Sequence, residues 1–190
     1  MDCLPQSSMK SCASARDTIA FESGPWRDST RDLNSAGQPL VHATNFMSDK
    51  FFVDTNMLVY AHDRAAGVKH KRARSLIESL WDSGGGVLST QVLQELCVNL
   101  RRKTARPLSL EQTRRLLQDY LSWDIVINTA DSVIEALANE HRYNILFWDA
   151  LIIQAAGTSG ATVVYSEDLA DGQTDGPLRV VNPLNRSSSG

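Results

Sequence analysis

The sequence predicts an α/β protein, a three-layer α/β/α sandwich with a central parallel sheet. From Phe51 onward, short apolar runs typical of buried strands alternate with longer segments of helical periodicity. The predicted order is β-α-α-β-α-α-β-α-α-β followed by a last strand. Helices between successive strands favour parallel pairing, because a parallel connection must cross the length of the sheet.

The first third of this region predicts a strand, two helices and a second strand. Phe51-Phe-Val is a short apolar run that ends in an acid, as a buried first strand does, and Thr55–His62 is predicted as a short helix. Residues 69–82 carry apolar side chains on one helical face and predict a longer helix. Gly84-Gly-Gly breaks the chain before the strand at residues 87–89.

The middle and last thirds continue the alternation. Ser89 and Thr90 are good N-cap residues, so a helix is predicted from Thr90 to Arg102. Pro107 ends that region. The remaining predicted helices are 108–122, 131–141 and 149–156, and the remaining predicted strands are 125–127, 162–165 and 179–181.

Composition divides the chain into one domain with two tails. Residues 1–46 are predicted to be a disordered extension, because they are rich in Ser, Asp, Arg, Gly and Pro and have no sustained period. Residues 47–184 are predicted to form the domain, and residues 185–190 a disordered tail. A chain of 190 residues is long enough for one domain with a hydrophobic core. Met47 is a candidate for the true start, which would make the preceding residues an appended extension.

Charge and cysteine content narrow the class of protein. The net charge of -3 argues against a protein that coats nucleic acid. Residues 64–115, however, contain eleven Lys or Arg and only four acids, a local net charge of +7. This distribution suits a basic rim beside an acidic centre. Three cysteines at spacings that match no zinc motif agree with a reducing cytoplasm. The longest apolar stretch is shorter than the roughly 20 residues of a membrane span, so no membrane partner is predicted.

Four acids follow or adjoin the predicted strands. Asp54 directly follows the first strand, and Asp168 lies just past the strand at residues 162–165. Asp149 occupies the first turn of an apolar helix, and Glu95 lies in the helix after the second strand. Ligands of open α/β sheets bind at the carboxyl ends of the strands, so we expect the four carboxylates to converge there.

Each acid also has a purely structural interpretation. Asp54 and Asp149 fit helix caps. Glu95 fits an exposed helix face, and Asp168 has Glu167 beside it as a rival. None of the four identifies a site alone, whereas their joint arrangement does.

Four segments, one around each acid, resemble the motifs of the PIN-domain family. The first is FVDTNMLVY at residues 52–60, in which Asp ends a strand and is followed by Thr and Asn. The others are STQVLQEL at 89–96, FWDALI at 147–152 and YSEDL at 165–169. They occur in the family's order and extend over residues 50–183. The resemblance implies a PIN-like fold and a nuclease that uses Mg²⁺ or Mn²⁺ to cleave RNA.

Within that family the chain is most similar to the VapC-like toxins of bacterial toxin–antitoxin pairs. This similarity implies a small endoribonuclease, a homodimer and an antitoxin protein that covers the active site. The surface of the predicted helix around Lys69–Trp81 is a candidate for either interface.

The chemistry of phosphodiester hydrolysis agrees with four acids. It needs a nucleophilic water and neutralisation of charge on the phosphoryl and leaving oxygens, which a divalent cation can supply. Mg²⁺ prefers oxygen ligands such as carboxylates. We expect Asp54 and Asp149 to be the main ligands, Glu95 to bridge or to orient water, and Asp168 to assist a second metal position.

Other residues are candidates for supporting roles. Thr55, Asn56 and Ser166 could orient a ligand or phosphate, or serve only as caps. The candidates for phosphate contacts, which also fit a solvated face, are Arg101, Arg102, Lys103 and Arg106.

Two other functions remain open. One is a PIN-like module without catalytic activity that binds RNA or protein. The other is a phosphotransferase with Asp54 as nucleophile, which would usually have a second Asp where Asn56 stands. The sequence contains no P-loop, no G-x-S-x-G motif and no His or Cys metal spacing.

Overall fold

The computed structural model describes residues 49–185. The predicted N-terminal extension, the alternative start at Met47 and the tail beyond Asn185 lie outside the described residues. All described residues belong to one compact unit. Among them, no helix is long and apolar enough to cross a membrane.

The described strands form a single sheet in the order β3-β2-β1-β4-β6-β5. Their bounds are β1 (Phe51–Val53), β2 (Gly86–Ser89), β3 (Asp124–Val126), β4 (Val163–Tyr165), β5 (Thr174–Asp175) and β6 (Leu178–Val181). All neighbours pair in parallel except β5 and β6. The predicted fold class, with its central parallel sheet, is confirmed. The sequence did not predict β5, which has two residues and no apolar run.

The helices lie where the sequence predicts them, with small shifts at their ends. Their bounds are α1 (Thr55–His62), α2 (Val68–Ser83), α3 (Thr90–Arg102), α4 (Leu110–Tyr120), α5 (Ala130–Tyr143) and α6 (Phe147–Ser159). A short 3₁₀ turn at residues 64–66, which was not predicted, joins α1 to α2. The bounds of α6 differ most: the helix begins two residues before Asp149, with Leu146 as its N-cap, and ends at Ser159, three residues beyond the predicted end.

Burial explains why the central elements are so apolar. Phe52 and Val53 of β1 and Val164 of β4 are fully buried, as strands of a covered parallel sheet are. The helix α6 is buried at every position from 150 to 156. It packs against β2, β3 and β4, and α5 covers its other side. Both central strands therefore sit inside the core, and their carboxyl ends are held rigidly.

The apolar face predicted for α2 packs inside the protein. Ala73, Ile77 and Leu80 on that face are buried. A partner could therefore contact this helix only through its other residues. The proposed dimer or antitoxin interface at α2 stays a prediction, restricted to the polar side of the helix.

A cluster of three aromatic rings packs over a glycine of β2. Trp123 packs against Trp81 and Tyr120, with ring centroids 5.3 and 5.4 Å away. A Cβ atom on Gly86, in β2, would lie 2.3 Å from a ring carbon of Trp123. The indole therefore requires the bare backbone of glycine.

We expect Gly86→Ala to destabilise the protein by about 1–3 kcal/mol, because the packed Trp123 ring cannot yield without disturbing its neighbours. The matched control is Gly157→Ala in α6, where an added Cβ meets nothing within 4 Å. That change should be neutral or stabilising by up to about 1 kcal/mol. Urea unfolding of both variants measures the difference, and equal stabilities would contradict the close contact.

Candidate active site

The four predicted acids line one cleft of about 230 Å³. Asp54 directly follows β1, and Asp168 lies in the loop after β4. Glu95 projects from α3, and Asp149 lies in the first turn of α6. The structure thus brings together carboxylates from four separate segments at the carboxyl edge of the sheet.

Asp54 is the most buried of the four, with 8% of its surface exposed. Its Oδ1 accepts a hydrogen bond from the Thr55 backbone N–H at 2.6 Å, so it also caps α1. Its Oδ2 accepts hydrogen bonds from the Ser166 hydroxyl at 2.7 Å and the Asn56 amide at 3.0 Å. Burial raises the pKa of Asp54 to about 6, against the lowering effect of the Ser166 and Thr55 hydrogen bonds.

Asn56 links two of the carboxylates. Its Nδ2 donates to Asp54 Oδ2 and to Asp168 Oδ2, at 3.0 Å in both cases. Its Oδ1 accepts a longer hydrogen bond, 3.4 Å, from the backbone N–H of Glu167. An Asp at this position would lose both donors and add a negative charge, so the amide fits the role better.

Ser166 determines which of two adjacent acids enters the cleft. The Ser166 side chain is fully buried, and its Oγ accepts hydrogen bonds from the backbone N–H groups of Asp168, at 3.2 Å, and Leu169, at 3.3 Å. This turn directs Asp168 to the cleft. Of the two adjacent acids, Asp168 therefore lines the cleft and Glu167 does not.

Glu167 points instead to a small cluster with Tyr60 and Lys69. Its carboxylate accepts a hydrogen bond from the Tyr60 hydroxyl at 2.6 Å and forms an ion pair with Lys69. Partial burial raises the pKa of Glu167, but the Lys69 and Tyr60 hydrogen bonds outweigh it and keep that pKa below its ordinary value. The sequence did not predict this cluster, because nothing in the spacing of its three members indicates that they are in contact.

Glu95 is fixed by two neutral donors. Its Oε2 accepts a hydrogen bond from the Thr55 hydroxyl at 2.9 Å, and its Oε1 accepts one from Gln91 Nε2 at 2.9 Å. Gln91 Nε2 also donates to the backbone carbonyl of Trp148, at 3.2 Å. Gln91 is only 5% exposed, so this side of α3 is not the exposed face that the sequence allowed.

Asp149 lies between the other carboxylates and is half-buried. It is the third residue of α6, and the N-cap is Leu146, so the cap interpretation of Asp149 does not hold. Burial raises its pKa, and the negative charges of Asp168 and Glu95 raise it further. Asp149 therefore experiences the repulsion expected among clustered acids.

Carboxylate oxygens are suitable ligands for Mg²⁺ or Mn²⁺, but they do not form a ready-made cage. Within residues 49–185, no group of three His, Cys, Asp or Glu side chains is arranged to hold a metal ion. Mg²⁺ usually keeps several waters and binds only one or two carboxylates directly. The cleft therefore fits a hydrated cation better than an ion enclosed by protein ligands alone.

Only one of the four predicted phosphate-binding residues lines the cleft. Lys103, just after α3, contributes to its wall. The other three, which are exposed and are not among the lining residues, are Arg101, Arg102 and Arg106.

Fold and site together define an α/β protein with an acidic cleft at the carboxyl edge of a mostly parallel sheet. The model of the PIN domain family matches residues 51–170. The chain therefore belongs to the PIN domain family, as its motifs predicted. No curated protein sequence matches the chain.

Solved structures with a similar fold include bacterial toxins. A toxin–antitoxin complex from Klebsiella pneumoniae matches with a TM-score of 0.51 and 19% identity, over 71% of this chain and 98% of the other. VapC20 of Mycobacterium tuberculosis, a Sarcin-Ricin loop cleaving toxin, matches with a TM-score of 0.49 and 21% identity, over 63% and 90%. DNA-bound VapBC from Salmonella typhimurium matches with a TM-score of 0.48 and 19% identity, over 70% and 96%.

The raised pKa of Asp54 predicts a pH dependence of stability. The folded protein holds this proton more tightly than the unfolded chain, so the stabilisation is complete below about pH 4 and is lost as the pH rises through 6. Measured in chelator, the free energy of unfolding of the wild type should fall by on the order of 3 kcal/mol relative to Asp54→Asn across this range. Parallel pH profiles of the two proteins would contradict the raised pKa.

Gln91 should support both Glu95 and the start of α6. Gln91→Met keeps the length of the side chain but removes both hydrogen bonds, so we expect a loss of about 1 kcal/mol. The loss stays modest because the change also removes Gln91 Oε1, which is buried without a hydrogen-bond partner in residues 49–185. Gln94→Met, on the exposed side of α3, is the control and should leave urea unfolding unchanged.

Proposed function

We propose that this protein is a divalent-metal-dependent endoribonuclease that hydrolyses RNA phosphodiester bonds, and that it is the toxin of a toxin–antitoxin pair. The observation that carries the proposal is the convergence of Asp54, Glu95, Asp149 and Asp168 on one cleft of a PIN domain. A divalent cation held in such a cleft can activate water and neutralise the charge that develops in phosphodiester hydrolysis.

Asp54 and Asp149 are the proposed principal ligands of Mg²⁺ or Mn²⁺. Both have a raised pKa because burial disfavours their charged forms. A bound cation relieves this cost, since it stabilises the deprotonated carboxylates. When bound, the ion would lower the pKa of a coordinated water and neutralise charge on the phosphate.

Glu95 is the proposed group that orients the attacking water and accepts its proton. Thr55 and Gln91 hold its two oxygens from different sides, so the carboxylate is oriented before substrate arrives. Asp168, held by Asn56, assists from the opposite loop. Lys103 is placed in the cleft wall to contact a phosphate of the RNA.

The proposed biological setting is a toxin–antitoxin system in the cytoplasm. It is supported by the family and by the similar fold of the toxin–antitoxin complex from Klebsiella pneumoniae. An antitoxin that covers the cleft would block access of RNA to the carboxylates. A homodimer is part of the same proposal.

The two other functions have less support. A phosphotransferase with Asp54 as nucleophile would usually have a second Asp at position 56, whereas the chain has Asn56, whose amide donates to Asp54 and Asp168. A binding module without catalytic activity would have no use for four acids that converge on one cleft and repel one another.

Cleavage of a mixed structured RNA by the purified full chain tests the proposal. We expect cuts with Mg²⁺ or Mn²⁺ and none with chelator. Asp54→Asn and Asp149→Asn should each lower the rate by more than about 100-fold, because even outer-shell partners of a metal contribute about 10–100-fold. Asp82→Asn, which removes an exposed acid from α2, is the matched control and should keep full activity.

Metal binding can be followed separately by thermal unfolding. Mg²⁺ should raise the melting temperature of the wild type and of Asp82→Asn, and it should raise that of Asp149→Asn much less, since ligand binding stabilises only a competent site. Full activity of either site variant would rule out the assigned centre. An equal Mg²⁺ effect on all three proteins would rule out these ligands.

A further inference from the structure

An exposed tryptophan forms one wall of the cleft. Trp148 is the second residue of α6 and precedes Asp149 directly. It lines the cleft, and 61% of its surface is exposed. A large aromatic ring left open beside charged groups is unusual, since burial of tryptophan is normally favourable.

The backbone and neighbours of Trp148 hold it in place. Its carbonyl accepts the hydrogen bond from Gln91, which fixes the start of α6 against α3. Its ring meets the Phe147 ring edge to face, with centroids 5.4 Å apart. Phe147 packs in turn against a buried cluster that includes Ala150 and Leu151. These contacts position the indole ring, while most of its surface stays exposed to solvent.

The other aromatic residue of the cleft has a different role. Tyr60 donates its hydroxyl hydrogen bond to Glu167, and the Lys69 ammonium lies 4.8 Å from its ring centroid. A cation thus covers one face of that ring. Tyr60 is also half-buried, so Trp148 is the aromatic lining residue with the larger surface open to a ligand.

We propose that Trp148 is a base-stacking platform, on which a nucleobase next to the cleaved phosphodiester packs against the indole ring. This proposal rests on the proposed ribonuclease function. Every nucleobase has a flat π face, and stacking on an aromatic side chain contributes about 1–3 kcal/mol per base. A platform beside Asp149 would place the adjoining phosphate near the carboxylates.

Stacking on Trp148 also makes binding depend on whether the RNA is paired or single-stranded. Bases inside a duplex are already stacked on their neighbours, so only an unpaired or splayed base can pack on a side chain. The platform therefore favours an unpaired nucleotide at the cleft. It discriminates by stacking strength and not by hydrogen bonds to base edges.

RNA binding by the full chain in Ca²⁺, measured by fluorescence anisotropy, tests the platform. Trp148→Ala should weaken binding of a labelled single-stranded oligoribonucleotide by about 5- to 150-fold, which corresponds to the stacking range. Trp148→Phe, which keeps an aromatic face, should retain most of the affinity. Leu146→Ala is the matched control, because Leu146 is 73% exposed, lies just before α6 and is not a lining residue.

An abasic scan locates the stacked base. Oligoribonucleotides that lack one base at successive positions should bind the wild type less tightly at one or two positions. Removal of the same base should not weaken binding to Trp148→Ala, because this variant has no indole ring for the base to stack on. Binding of a duplex with the same sequence should not change between the two proteins.

The possible failures can be told apart. No RNA cleavage by the wild type with Mg²⁺ would refute the ribonuclease function itself. Normal cleavage with unchanged single-strand affinity in Trp148→Ala would overturn only the platform. Equal weakening of single-strand and duplex binding, or a position-independent abasic effect, would overturn it too. Thermal unfolding of each variant confirms that the folded protein was compared.

Discussion

The 2.7 Å hydrogen bond from the Ser166 hydroxyl to the Asp54 carboxylate joins the carboxyl ends of the two central strands, β1 and β4. Ser166 is fully buried and Asp54 nearly so, which means that neither group can exchange its partner for water. The same hydroxyl accepts two backbone N–H groups and so shapes the turn that carries Asp168. One buried contact therefore determines the position of two of the four acids.

Charge around the cleft is distributed unevenly. Among the described residues, none of the four acids forms an ion pair with a Lys or Arg. Lys69 pairs with Glu167, which points away from the carboxylate cluster. Three of them, Asp54, Glu95 and Asp168, instead accept hydrogen bonds from hydroxyl, amide or backbone donors that carry no charge. Burial raises the pKa values of Asp54 and Asp149, and repulsion among the carboxylates raises them further. In the proposed function, a divalent cation from solution relieves both effects.

The sequence predicts most of the fold because its local and global signals agree. Phe51-Phe-Val is a continuous apolar run, and residues 150–156 are apolar except for Gln154, as buried strands and helices require. The two-residue strand β5 has no such signal, since its pairing with β6 arises from a loop. Gln91 lies one turn before Glu95 on a polar side of α3 that the sequence allows as an exposed face. Its burial and its hydrogen bond to the Trp148 carbonyl arise between segments far apart in the chain, which the spacing does not show.

The neutral donors also explain why Thr and Asn follow Asp54. A Lys or Arg at either position would orient the carboxylates equally well, but its charge would satisfy them permanently and compete with a divalent ion. Thr55 and Asn56 fix Glu95, Asp54 and Asp168 without neutralising them. The cost is a cleft that is less stable when empty of cation, since folding holds acids close together. In the proposed function such a site exchanges stability for affinity towards the ion, and Thr55 and Asn56 then have a role beyond the capping of α1 by Asp54.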